Sequence, residues 1–295
     1  MTKNFRYNVA GHVFEVIMPD GFSEAEYLTP YIPFVCKEDC DPLFRLKVSL
    51  SDDLASERKG VVRNCLNDEP PYFWIFDQDG CFSFAFSYFK SHPDCLLFPS
   101  EDYSVNTLYV PSANADRLMS FAVSNALMLL YAFKTNPFDT LLVHASVVGY
   151  DGGAYMFLGR SGTGKSTHSR LWLENIEGTY LLNDDNPVIR FIDGEVMAYG
   201  SPWSGKTPCY RNESLPLKSV VRLSQAPANK IGRLMPLQAY ASLLPACSCM
   251  RWDRKSTDRL HATVEKVIGE VACWHLECLP DSDAAFTCRN AVKIM

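Results

Sequence analysis

The chain has 295 residues, 47% hydrophobic and 21% charged, a globular balance with material for one large domain or two smaller ones. A net charge of −6 leaves no dominant basic surface and argues against a nucleic-acid partner, because binding a phosphate backbone needs clustered Lys and Arg. The opening stretch MTKNFRYNVAGH lacks the apolar core of a secretory signal, and the eleven cysteines contain no C-x-x-C spacing. The expectation is a cytoplasmic protein with reduced, mostly buried thiols and no metal held by cysteine.

Residues 1–112 read as a β-rich N-terminal domain. Its strand candidates are Phe5–Val9, Val13–Ile17, Leu43–Leu50, Tyr72–Phe76, Cys81–Phe89 and Thr107–Val110, with the breakers Asp77–Gly80 marking a hairpin. A helix follows over Ala113–Lys134, with Asn114 or Asp116 near its start and Pro137 just past its end. Its most apolar part, Leu118 to Phe133, is interrupted by Ser120, Ser124 and Asn125 and reads as a buried helix, with no membrane partner expected. Leu141–Val148 is predicted as one strand, whose alternation puts Leu142, His144 and Ser146 on one face. Then come a strand over Ala154–Leu158, a Gly-rich loop, a helix over Lys165–Leu173, and a strand over Thr179–Leu182 ending in Asn183, Asp184 and Asp185. Further strands fall near Val188–Ile192 and Lys218–Leu223, and helices near Leu237–Leu244, Asp258–Val271 and Asp281–Val292. The fold class is thus α/β (α+β), the β-rich part being followed by an α/β domain over 113–295.

The loop carries the chemistry. Gly159, Arg160, Ser161, Gly162, Thr163, Gly164, Lys165 and Ser166 satisfy G-x-x-x-x-G-K-S/T, with Thr167 next on the helix. The glycines let the backbone curl so that its N–H groups point at phosphate oxygens, and the helix N-terminus adds its positive dipole end. In that pattern Lys165 reaches the β and γ phosphates, and Ser166 offers its hydroxyl to Mg²⁺. The motif lies between an apolar strand and a helix, as the mechanism requires, so ATP and Mg²⁺ are the expected ligands.

Mg²⁺ on a triphosphate takes a further protein oxygen, and Asp184 and Asp185 supply two carboxylates at a strand end. One can hold metal while the other faces an acceptor hydroxyl; an Asp-Asp-Asn-Pro turn is compatible with the same residues. His144 taken alone reads more readily as a structural strand histidine than as a catalyst. The absence of an N-K-x-D motif argues against a GTPase switch.

The order His144, then 159–166, then Asp184 and Asp185 resembles the catalytic domain of bacterial HPr kinase/phosphorylase, and the related P-loop nucleotide site of ATP-dependent phosphoenolpyruvate carboxykinase. The resemblance covers residues 140–190 and extends weakly to the C-terminus. It implies phosphate binding at Gly159–Ser166, Mg²⁺ at Ser166 and Asp184, Asp185 as the base that takes an acceptor's proton, and His144 beside that acceptor. It implies a kinase acting on a serine of a protein or peptide or on a small hydroxyl compound, with homo-oligomerisation left open. A carboxykinase-like enzyme and a nucleotide-binding sensor are the alternatives. The kinase family's later Glu-Arg-Gly signature is not recognisable, and its place is taken by Gly200-Ser201-Pro202-Trp203-Ser204-Gly205-Lys206. That segment reads either as a loop that closes over phosphates with Lys206 neutralising charge, or as a plain Pro/Gly turn.

Overall fold

In the computed structural model, which describes residues 2–57, 60–65 and 70–293, the chain divides after Lys134 into two units, each built on its own sheet. The architecture is mixed α/β, with two large sheets and few helices.

The first unit contains β1 (Lys3–Val9), β2 (His12–Met18), a short α1 (Glu24–Tyr27), β3 (Phe44–Ser51), a short α2 (Leu54–Glu57) and β4 (Val61–Cys65). It continues with β5 (Tyr72–Gln78), β6 (Cys81–Ser87), β7 (Cys95–Pro99), β8 (Val105–Pro111) and α3 (Ala115–Thr135). The strands form one eight-stranded sheet in the order β1-β2-β3-β8-β7-β6-β5-β4. β5 and β6 make the hairpin expected at Asp77–Gly80, with Asp79 and Gly80 both at positive φ.

The sequence reading grouped α3 with the second domain, from residue 113; the boundary instead falls after Lys134. The reason lies in the helix's inner stripe. Met119, Val123, Leu127 and Tyr131 recur every four residues and are fully buried. Tyr131 Oη donates to Val9 O at 3.0 Å, and Ser120 Oγ to Tyr27 O at 3.0 Å. By length and composition this helix is apolar enough to cross a membrane, but 56% of its most apolar window is buried within the protein.

The second unit contains β9 (Thr140–Leu142), β10 (Ala145–Tyr150), β11 (Gly153–Leu158), α4 (Lys165–Asn175), β12 (Tyr180–Asp185), β13 (Val188–Ile192) and β14 (Glu195–Tyr199). β15 (Ser214–Gln225), β16 (Lys230–Arg233), α5 (Pro236–Leu243), α6 (Arg254–Glu270), β17 (Ala272–Cys278) and α7 (Ser282–Val292) complete it. The sheet runs β12-β10-β11-β15-β14-β13-β9, with β17 also paired to β15 and β16 to β17. Apolar residues occupy both faces of its central strands, as a sheet covered on both sides requires. In β11, Ala154, Met156 and Leu158 pack with Leu243 of α5 and with Leu260 and Val264 of α6, while Tyr155 and Phe157 pack with Trp172 of α4 and Cys288 of α7.

Candidate functional site

Strand register decides which residues meet. β10 is antiparallel to both neighbours, so Ser146 lies opposite Phe157 of β11 and opposite Asp184 of β12. The start of β10 therefore shares one sheet end with the close of β11 and the close of β12. His144 precedes the first, the loop from Gly159 follows the second, and Asp184 and Asp185 finish the third.

The strand expected over Leu141–Val148 is not continuous. It stops at Leu142 and resumes at Ala145, because β9 pairs with β13 while β10 pairs with β11 and β12. At the break the ladder bonds are replaced by loop contacts: Val143 N donates to Pro187 O at 3.1 Å and His144 N to Ala246 O at 2.8 Å. His144 thus does not share a pleated face with Leu142 and Ser146; its side chain is half-exposed, whereas Ser146 is fully buried against Ser169.

The loop curls as its glycines permit. Gly162 (φ 77°) and Gly164 (φ 108°) hold left-handed backbone, and α4 begins at once with His168 N donating to Gly164 O at 2.8 Å. Lys165, only 9% exposed, donates through Nζ to Gly159 O at 3.0 Å and to His144 Nε2 at 2.9 Å. Burial pushes its pKa down, and the nearby Asp185 and Asp184 oppose that shift. An ammonium group only donates, so Nε2 of His144 is the acceptor and its Nδ1 carries the proton, 3.1 Å from Asp185 Oδ1.

Asp184 is buried at 3% exposure and accepts from Ser166 Oγ at 3.0 Å. Asp185 is held on both oxygens, by His144 at Oδ1 and by Asn186 Nδ2 at Oδ2, 2.7 Å away. Its backbone has φ 140°, a setting that residues with a side chain seldom adopt and that costs about 1–3 kcal/mol. Asp185→Gly is accordingly expected to be more stable than Asp185→Ala by about 1 kcal/mol, the reverse of the usual order, in paired urea melts.

Residues 200–206 form a turn tied to the end of β12. Asn183, fully buried, donates through Nδ2 to Ser201 Oγ at 3.1 Å and to Trp203 O at 3.3 Å. Gly205 N donates to Asp184 O, Ser204 Oγ donates to Thr207 O at 2.6 Å, and Cys209 N donates back to Ser204 Oγ at 3.2 Å. The segment is pinned to the end of β12, and a Cβ on Gly205 would sit 3.1 Å from that of Asp185. This fixed turn presents Gly205 and Lys206 to the same cleft as the aspartates.

That cleft has a volume of about 620 Å³ and is lined by His144, Ser161, Gly162, Gly164, Lys165, Ser166, Thr167, Asp184, Asp185, Gly205 and Lys206. Of the predicted binding residues, Gly159, Arg160 and Thr163 stay off its lining and shape the loop instead: Thr163 N donates to Arg160 O at 3.1 Å, and Gly159 leaves room for the Thr163 side chain. Asn183 and Asn186, expected only as part of the strand end and turn, are organising residues of the site: their side-chain amides hold the 201–203 segment and the Asp185 carboxylate. Both flank the acidic pair, and Asn186 immediately precedes Pro187, as in the Asp-Asp-Asn-Pro turn.

Beneath the loop, α4 buries His168, whose Nε2 accepts from Trp172 Nε1 at 3.1 Å. Burial lowers its pKa from 6.5 to about 4. A histidine with a depressed folded pKa binds fewer protons folded than unfolded. Its neutral form therefore supports stability fully above pH 6.5, and that support drains away as pH falls toward 4. Between those limits the wild type should lose about 1.4 kcal/mol per pH unit more than His168→Gln in denaturant melts.

Compared with known proteins, the chain matches no family model and no curated protein.

Proposed function

We propose that this chain is an ATP- and Mg²⁺-dependent phosphotransferase, built on an α/β domain of the HPr kinase and carboxykinase kind, that moves a γ-phosphoryl group to a hydroxyl. One observation carries the reading: the Lys165 amine, the Ser166–Asp184 pair and the His144–Asp185 pair line a single cleft at the mouth of a helix N-terminus. Loop N–H groups and Lys165 supply positive charge for the β and γ phosphates. The Ser166 hydroxyl and an oxygen of the nearly buried Asp184 carboxylate, 3.0 Å apart, are hard donors of the kind Mg²⁺ prefers; bound there, it would neutralise charge on the phosphate oxygens.

Asp185 is the proposed base. As the acceptor oxygen bonds to the γ phosphorus and the bond to the β-phosphate oxygen breaks, the hydroxyl proton passes to Asp185 and ADP leaves. His144 holds one Asp185 oxygen and one Lys165 proton, so it fixes the base and the phosphate-binding amine relative to each other. Lys206, on its pinned turn, brings a second cation to the cleft. The acceptor is a serine of a protein or peptide, or a small hydroxyl compound.

Incubation of the protein with γ-³²P-ATP, Mg²⁺ and an extract of its source cells tests the reading, beside a coupled assay for conversion of oxaloacetate to phosphoenolpyruvate. Label on a hydroxyl, reduced in His144→Ala, is the expected result. Carboxykinase turnover with no labelled hydroxyl would replace it with the carboxykinase-like alternative.

A further inference from the structure

The acids, His144 and Lys206 all lie on one flank of the phosphate loop, the side of β10 and β12. The other flank is β15, which runs parallel to β11, with β17 parallel to β15 in turn. Parallel strands finish at the same edge, so the chain leaves β11, β15 and β17 side by side, where α/β sheets receive ligands. The segments after β15 and β17 are tied together. Gln225 lies opposite Cys278 in register, Ala226 N donates to Cys278 O at 3.1 Å, and Leu279 N donates to Asn229 Oδ1 at 2.8 Å. Asn229 is held in turn by Asp281 and Asp283, each 3.0 Å from its Nδ2.

These ties make a fixed ledge of Ala226, Pro227 and Leu279, the last 38% exposed, beside the loop. At the edge of the ledge the exposed Gln225 side chain donates through Nε2 to Gly162 O at 3.4 Å, which joins the ledge to the loop itself. A nucleotide stretched through the loop has two ends. If its reacting end lay among Asp185, His144 and Lys206, the other end could leave past Gly162 toward β15, where Gln225 meets the loop.

We propose that Gln225, Ala226, Pro227 and Leu279 form the subsite for the nucleoside half of the bound nucleotide, with the Gln225 amide as its hydrogen-bonding group. The inference rests on the phosphate-loop reading above. A carboxamide offers donors and an acceptor to a base edge or a ribose hydroxyl, and the apolar ledge offers a face for the heterocycle.

Calorimetric titration of wild type, Gln225→Ala and Leu279→Ser with Mg–ATP and, separately, with Mg–tripolyphosphate tests it. Both residues are exposed, so the variants should fold. The expected result is an ATP Kd raised about tenfold in Gln225→Ala, and raised also in Leu279→Ser, with tripolyphosphate binding unchanged in both. Equal weakening of both ligands in Gln225→Ala would overturn the subsite and leave that residue as a brace for Gly162. No change in ATP affinity in either variant would overturn it as well. Wild type that takes neither ligand would overturn the phosphate-loop reading, and the subsite with it.

Discussion

Asp185→Asn is expected to cut phosphoryl transfer about 100-fold or more while leaving Mg–ATP affinity within about twofold of wild type. Asparagine keeps the size of the side chain and can still meet Asn186, but it cannot take a proton from an acceptor hydroxyl. Asp184→Asn should differ in kind. Asp184 is the buried partner of Ser166, so its loss should weaken use of Mg²⁺ and be partly recovered with excess Mg²⁺ or Mn²⁺. Single-turnover kinetics with calorimetry separates the two. Equal loss of nucleotide affinity in both variants, with no selective loss of turnover, would contradict this division of labour.

Lys165→Ala should weaken Mg–ATP by about 2 kcal/mol or more, because a direct cationic contact to the β and γ phosphates is lost. The free protein should not suffer correspondingly. The Lys165 amine is largely desolvated and bonds a carbonyl and a half-exposed imidazole, with Asp185 and Asp184 nearby. Removing it relieves a buried charge but also takes a cation away from the acids, and the two effects oppose each other. Thermal melts without nucleotide should therefore show Lys165→Ala within about 1 kcal/mol of wild type, while titration shows the weakened affinity. A variant that loses stability and keeps ATP affinity would make Lys165 a structural residue.

The turn into α4 was legible because its signal is contiguous: the residues from Gly159 to Ser166 carry both the turn chemistry and the helix start. The two-sided burial of Ala154–Leu158 and the ends of α6 and α7 were close to readable for a similar reason, since apolar spacing and neighbouring turn residues are local. Other features depend on partners far along the chain. Leu141–Val148 alternates equally well as one strand or as two, and only pairing with Pro187 and Ala246 creates the break that exposes His144. The segment 200–206 has the composition of a mobile turn, and it is the buried amide of Asn183 that pins it. β17 was missed because His275 and Glu277 interrupt its apolar run; parallel pairing with β15 supplies what local propensity does not. Helix α3 displayed its buried stripe plainly, but the stripe does not say which sheet will cover it.

The most direct test of the account is calorimetric titration of the full chain with Mg–ATP. The cleft of Lys165, Ser166 and Asp184 predicts saturable binding of one nucleotide per chain, weakened when Mg²⁺ is withheld and competed by tripolyphosphate. Absence of binding by both ATP and GTP, in protein shown to be folded, would contradict it.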